Sequence, residues 1–541
     1  MKTVLKLFYV MILCAPLSAH AKTTLRIGVD SIASDLEGQT SGQNNYVRNL
    51  IAPPFLAVSK EGKWVCIVCT EIPSLANGRA VITTEKKTSF LQTDWEIKSG
   101  FFWEDGKPVS NKEVAATIET LKESSLPLNI IERIKVDPRN PRKFSVTFKT
   151  TRPDFFKVLA ISLMRHKPDE AVSERPDANY WAYGRYKVKS LEGHRLFLER
   201  NTFNKDTPAK IDELELIAME SSRELVEALE RKQIDIVKEN VLHVSDVRST
   251  DSWPTHQGKR EFVLSSAPSN RLLTLAFNLR NPQLMDHSIR DAIALAVDRQ
   301  AVNDKIFAGL GEPSDTFLRQ YDDGTVLVPS RAKADLAKAA AILDEAGWKL
   351  IEGKRQKQDK TLEAELAFRE STSADIAKLV GDQLEKLGMA VTLKPASKSA
   401  FKNEVIHESR FKEMALVTWH TIPFDSLWST FHSSQAPGHS TDNDTNNIMH
   451  WQSKDADGNL EDLAHEWDPM IRKKHQITLV DIVTKERPII PLVFEPNFAL
   501  LSPGINGYSL AKGHYETSLF ANEWSIGPVA TTSESPATRT R

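Results

Sequence analysis

Between Asp94 and Leu121 the hydrophobic period of the chain changes from that of a strand to that of a helix within a few turns of backbone. Trp95 and Ile97 alternate with Glu96 and Lys98, which predicts a strand with one apolar and one wet face. Ser99-Gly100 turns the chain, and Phe101, Phe102 and Trp103 follow as a short aromatic strand. Asp105-Gly106 is a residue pair that tight hairpins prefer, and Pro108 sits just beyond it. Ser110 with Glu113 three residues on reads as a capping box, each side chain satisfying an orphan amide of the other. The helix that follows should bury Val114, Ile118 and Leu121 on one face.

A chain of 541 residues exceeds one compact core and predicts two or three domains. Residues 1–21 read as a secretory leader: Lys2 and Lys6 are its positive end, Leu7–Leu17 its apolar run and Ala19-His20-Ala21 its cleavage site. Cys14 raises the rival of a lipid-anchored cysteine, against which Leu13 stands where a small residue belongs. Without Lys2 and Lys6 the basic residues fall from 70 to 68 against 72 acidic, a net charge of −4. That balance points to neither nucleic acid nor an anionic membrane. The expected location is the periplasm, and no later stretch is apolar for long enough to span a bilayer. Export places Cys66 and Cys69 in an oxidising compartment. Bonding them requires a turn, since three residues of straight strand separate them by about 10 Å. A disulfide and a pair of buried thiols both remain open.

Strand and helix patterns alternate along the rest of the chain. Thr24–Asp30, Arg142–Thr150, Ile211–Ile217, Leu272–Leu279 and Ala390–Leu393 read as strands. Ser222–Arg231, Ser288–Val302, Ala334–Trp348 (Leu336, Ala340 and Leu343 inward) and Ala374–Leu387 read as helices. Gly347 stands where a C-cap glycine belongs. The pattern argues for α/β architecture with mixed sheets covered by helices.

Several passages resemble family 5 extracellular solute-binding proteins, the dipeptide-, oligopeptide- and nickel-binding receptors of ABC importers. These are Gly100–Val109 (G-x-x-W-x-D-G-x-P-V), Tyr183–Val188 with Leu198–Asn201, Gln233–Ile236, and Phe277-Asn278 with Ile289–Ala292 and Ala296–Arg299. Leu343–Trp348, Pro488–Leu492 and Gly507-Tyr508 complete the series, which covers nearly the whole chain beyond the leader. The resemblance implies a two-lobed periplasmic-binding-protein fold, type II-like, with an extra small domain and crossover strands at the hinge. On that basis lobe I comprises 22–57, 183–277 and 489–528, the small domain 58–182 and lobe II 278–488, with a disordered tail over 529–541. Arg290 and Asp298-Arg299 are expected as ion pairs at helix ends.

The same resemblance implies a peptide or peptide-like ligand, an inner-membrane permease as partner, a monomer, no cofactor and no nucleic acid. It places the ligand against Met414–Thr421, with Trp419 as the wall, Thr418 in the place of a glycine, and His420 and Thr421 beside them. In peptide receptors that segment pairs with the peptide main chain. An aspartate three residues past the tryptophan then takes the α-amino group, because a buried ammonium needs a paired charge. Here Ile422 stands at that position, and Asp425 lies three residues further on. Either Asp425 swings in, or the ligand presents no free amino terminus there. Asp30, Ser31, Asn278 and Phe431 are further candidates for ligand contact. No Gly-x-Ser-x-Gly elbow, phosphate-cradling glycine loop or His-Glu-x-x-His helix points to catalysis, and His432 and His439 read as solvated loop residues. A nickel chelate, haem or opine receptor is the alternative, and an exported hydrolase the remoter one.

Overall fold

The computed structural model describes residues 22–32, 42–122, 126–163, 165, 181–242, 244, 262–319, 321, 325–327, 333–420, 426–437, 446–510 and 517–527. The expected leader (1–21), residues 421–425 and the expected tail (529–541) fall outside them.

The chain organises two half-sheets around two long strands, Val263–Phe277 and Ile489–Leu501, which pair antiparallel along their whole length. Near Val263 these strands adjoin Ile236–Val237, Thr24–Val29, Glu213–Ala218, Arg195–Arg200 and Tyr186–Glu192, in that order. Near Phe277 they adjoin Met414–His420, Glu363–Arg369 and Ala390–Ala396. The two ends of one eleven-stranded sheet thus form the floors of two lobes. Between the ends the register slips, from Pro268 opposite Pro496 to Leu272 opposite Phe494. Two prolines remove donors there, so the ladder is weakest where the lobes meet. The slip lies inside these strands, several residues from the 277/278 boundary expected from sequence and from the 488/489 one.

Each half-sheet is covered on both faces. In lobe II one face carries Leu273, Leu275, Ala364 and Leu366 against the helices His287–Ala296, Leu336–Glu345 and Glu370–Lys386. The other carries Leu272, Ala276, Ala415 and Val417 against Ser426–Phe431, Lys454–His465 and Pro469–Glu486. The helix expected over Ser288–Val302 is two helices, because Asp298 accepts the amide of Ala301 at 3.0 Å and caps a new start at Arg299. In the helix expected over Ala334–Trp348, Ala339 and Leu343 face inward while Leu336 is exposed.

The expected ion pairs of Arg290 and Arg299 are main-chain ties instead. Arg290 donates to the carbonyls of Leu284, Met285 and Glu486. Arg299 donates to those of Ala294, Val297, Ser314 and Pro491, binding helix to strand. Burial lowers both guanidinium pKa values, that of Arg299 to about 10, so both stay charged at neutral pH.

The small domain is an antiparallel sheet in the order Ala80–Glu85, Thr88–Glu96, Lys143–Phe148, Ile131–Val136. Leu91, Thr93 and Trp95 alternate inward, and the Trp95 ring packs on Phe55 and Phe144. Helix Asn111–Lys122 buries Val114, Ile118 and Leu121 as its spacing requires. Of the expected capping box, the Glu113 carboxylate accepts the Ser110 amide at 3.1 Å, while the Ser110 hydroxyl contacts Glu113 and the Lys112 amide. Cys66 and Cys69 are bonded, the turn between them bringing their Cα atoms to 4.9 Å. The domain rests on lobe I at Tyr183, whose ring meets that of Trp103 at 5.0 Å and whose hydroxyl accepts the Leu163 amide at 2.9 Å while binding the Pro53 carbonyl; beside it, a Cβ on Gly184 would lie 2.4 Å from the Leu50 carbonyl oxygen. No larger residue fits at that contact.

Candidate functional site

Strand direction locates the site. Thr24–Val29 runs parallel to Glu213–Ala218 and Ile236–Val237, and Ile236–Val237 is antiparallel to the segment of Ile489–Leu501 that leaves the slip. Their carboxyl ends therefore point towards the slip. In lobe II Glu363–Arg369, Ala390–Ala396 and Met414–His420 are mutually parallel, and Met414–His420 is antiparallel to Arg271–Phe277. Their carboxyl ends point to the slip from the other side. Open α/β sheets bind ligands beyond strand carboxyl ends, which makes this junction, the hollow between the lobes that the resemblance implies, the candidate site.

Asp30 and Ser31 reach this level from lobe I, both exposed at the end of the first strand. From lobe II come Thr418, Trp419 and His420, which strand alternation divides. Thr418 and His420 share one face with Arg271, whereas Trp419 lies on the other with Thr274 and Val417. The Trp419 indole N–H donates to the Thr274 hydroxyl at 2.8 Å, and its half-buried ring closes the Leu272–Phe494 cluster. What it offers the hollow is apolar surface. Thr418, in the place of a glycine, donates its hydroxyl to Glu495 at 2.8 Å.

Glu495 is the centre of the slip. Its second oxygen pairs with Arg271 at 2.7 Å, and its carbonyl accepts the Ser269 hydroxyl at 2.7 Å. The Arg271 amide returns to that hydroxyl at 3.1 Å. Two residues along, Asn497 Oδ1 is buried with no hydrogen-bond partner among the described residues. Burial, and then the Arg271 charge, push the His420 imidazole below its ordinary value, so it is neutral at pH 7.

Arg369 ends its strand on the same sheet face as Trp419, since Ala367 pairs with Ala415 and alternation carries the face to 369 and 419. Its Nε is buried and has no hydrogen-bond partner among the described residues. A buried, unpaired guanidinium nitrogen is costly unless something anionic or carbonyl-like reaches it.

Two candidates lie elsewhere. Asn278 sits at the far end of its strand, its amide group donating to the Phe411 carbonyl at 2.6 Å and accepting from Arg280, so its polar atoms serve the lobe interior. Phe431 is 3% exposed and packs on Phe317 and Trp451 in the core. Thr421 and Asp425, with Ile422, lie outside the described residues. Sequence reasoning missed Arg271, Arg369 and Glu495. Glu495 did carry a signal, a lone acid within the apolar run Ile489–Leu501. Among the described residues no three His, Cys, Asp or Glu side chains gather closely enough to hold a metal ion. No described helix is long and apolar enough to cross a membrane.

Two lobes on a shared strand pair, with the strand carboxyl ends of both converging on their junction, define a bilobal solute-binding fold. Solved structures share it. The chain superposes on NikZ of Campylobacter jejuni, solved with Ni(L-His), at TM-score 0.66 and 20% identity, covering 93% of this chain and 100% of that one. On NikA of Brucella suis, solved with Fe(III)-EDTA, the TM-score is 0.73 at 16% identity, covering 93% and 100%. On AppA of Bacillus subtilis, solved with a nonapeptide, it is 0.62 at 16% identity, covering 94% and 99%. Among curated proteins, the oligopeptide-binding protein OppA of Lactococcus lactis is 26% identical over 253 residues, 44% of this chain and 40% of that protein. The peptidoglycan-binding protein YepA of Agrobacterium fabrum is 25% identical over 345 residues, 57% and 52% of the two chains. The chain thus spans about half the length of these curated relatives. The family of bacterial extracellular solute-binding proteins, family 5 (its middle region), matches residues 74–438. The chain belongs to that family.

Proposed function

We propose that this protein is the exported receptor of an ABC importer, which clamps a peptide or peptide-like solute between its lobes and presents it, as a monomer, to a membrane permease. It acts by closure rather than covalent chemistry: a solute that touches both lobes favours the closed state by its differential affinity. The observation that carries the reading is Arg369, which ends its strand on the sheet face that carries Trp419 and has a buried Nε that lacks a partner among the described residues. A carboxylate is the acceptor that best fits a guanidinium fork, and a peptide carries one at its C-terminus. Trp419 contributes apolar surface to the adjoining residue. Ile422 supplies no charge for an α-amino group, so recognition is weighted to the acid end.

Thermal shift and calorimetry with free-acid, C-amidated and N-acetylated tri- to pentapeptides test this. Free acids should stabilise the protein, N-acetylation should change little, and amidation should weaken binding about tenfold or more. Equal binding of acids and amides, or strict dependence on a free amino group, contradicts the reading. A second reading, a metal–chelate solute, is favoured by His420, whose neutral imidazole is competent to ligate a metal at pH 7. It predicts stabilisation by nickel–histidine and not by peptides.

A further inference from the structure

Far from the slip, lobe II touches the small domain. Trp467 lies in the short connection between helices Lys454–His465 and Pro469–Glu486. Its indole leaves lobe II, packs against the small-domain core, meets the Phe155 ring at 6.1 Å and donates its N–H to the Thr151 carbonyl at 3.1 Å. Around it runs a seam of charge. Arg152 makes a two-pronged pair with Asp154, and Lys157, almost fully buried, reaches the same carboxylate at 3.5 Å. From lobe II Arg472, held by the carbonyls of Leu463 and Glu466, adds its field to that of Arg152 and Lys157 at Asp154. Leu427, Trp428 and Leu460 wall a shallow pocket beside Arg152 and Arg472.

The small domain is seated on lobe I through Tyr183, whose ring packs on Trp103 and whose hydroxyl accepts the Leu163 amide, and the lobes are joined through the two long strands. A rotation about the slip therefore carries the small domain away from Trp467. A contact remade at every closure biases the open–closed equilibrium, because only the closed state gains it.

We propose that Trp467 is a closure peg: a positioning residue which, by entering the small domain at Thr151 and Phe155, holds the lobes shut independently of the solute. This rests on the two-lobe closure reading, but it does not depend on which solute is bound. It assigns Trp467 no contact with that solute.

The test is single-molecule energy transfer on the full chain without solute, between dyes at Val81→Cys in the small domain and Leu350→Cys in lobe II, both exposed positions. A Cys14→Ser background leaves only the engineered thiols reactive, since Cys66 and Cys69 are bonded to each other. Trp467→Ala should raise the open-to-closed ratio by about tenfold, the combined loss of an aromatic contact and a hydrogen bond. Trp467→Phe, which keeps a ring and loses the N–H, should give a smaller rise of about threefold. Met470→Ala, an exposed neighbour in the following helix, should change nothing. Distance distributions unchanged in both Trp467 variants, at wild-type far-UV signal, overturn the peg. Because no solute is present, failure of the peptide reading leaves this result intact, and failure of the peg leaves peptide binding intact.

Discussion

Lobe II contains two pairs of arginines at opposite ends of its sheet, and they are used in opposite ways. At the inner end Arg290 and Arg299 are buried and donate eight hydrogen bonds to seven main-chain carbonyls. At the slip Arg271 is 47% exposed and tied to one carboxylate, while the Nε of Arg369 has no partner among the described residues. A guanidinium whose donors are spent on the backbone is structure. One that keeps an unpartnered donor on the face of the slip is the candidate for recognition. Residue type does not separate the two; the inventory of donors does.

The comparison predicts a separation between stability and binding. Arg299→Ala should produce the largest loss, about 3–5 kcal/mol in urea denaturation, because it strips a charge-assisted donor from buried carbonyls. A loss below about 1 kcal/mol would show that those ties are replaceable. Glu495→Gln should cost less, about 1–2 kcal/mol, since Thr418 keeps an acceptor while Arg271 loses its charge partner. Melting within error of wild type would remove Glu495 from the centre of the slip. Arg369→Ala should leave stability within about 0.5 kcal/mol, yet erase the preference for free-acid over amidated peptides. If instead it unfolds the protein, Arg369 belongs with Arg299 and the contrast is void.

The small domain offers an intermediate case, arginine spent on a side-chain carboxylate. Burial would raise the Asp154 pKa, but Lys157 and Arg152 outweigh it and hold the carboxyl below its ordinary 3.8. A carboxyl lowered by folding adds stability above the unfolded value, and that stability fades as the pH falls below about 4 towards the folded value. Asp154→Asn should therefore narrow the gap to wild type on acidification from pH 5 to pH 3. A gap constant with pH would mean that the pair does not titrate with folding. This is the smallest of the expected effects, because Arg152 is partly solvated.

Much of the fold was legible because period and punctuation agree with it. The strand at Trp95, the helix at Val114–Leu121 and the glycine at 347 follow from local rules that tertiary structure did not override. The two-lobed plan was legible through resemblance rather than through any single element. The slip was not legible because Leu272–Leu279 reads as one uninterrupted apolar strand, and nothing local marks where its partner shifts register. For the candidate site, Thr418–His420 was read as one segment, and alternation splits it between two faces that only the pairing register reveals. Arg369 was missed because a single arginine before a helix is indistinguishable, in sequence, from Arg290 or Arg299. Phe431 and Asn278 were named from motif position, which says nothing of their burial.

The central claim is that solute is held where the carboxyl ends of both half-sheets converge on the slip. Hydrogen exchange with and without a saturating pool of free-acid tri- to pentapeptides measures this directly. The account predicts added protection in 27–32, 366–371 and 414–420 together, from both lobes at once. Protection confined to one lobe, or lying outside these three segments, would contradict it.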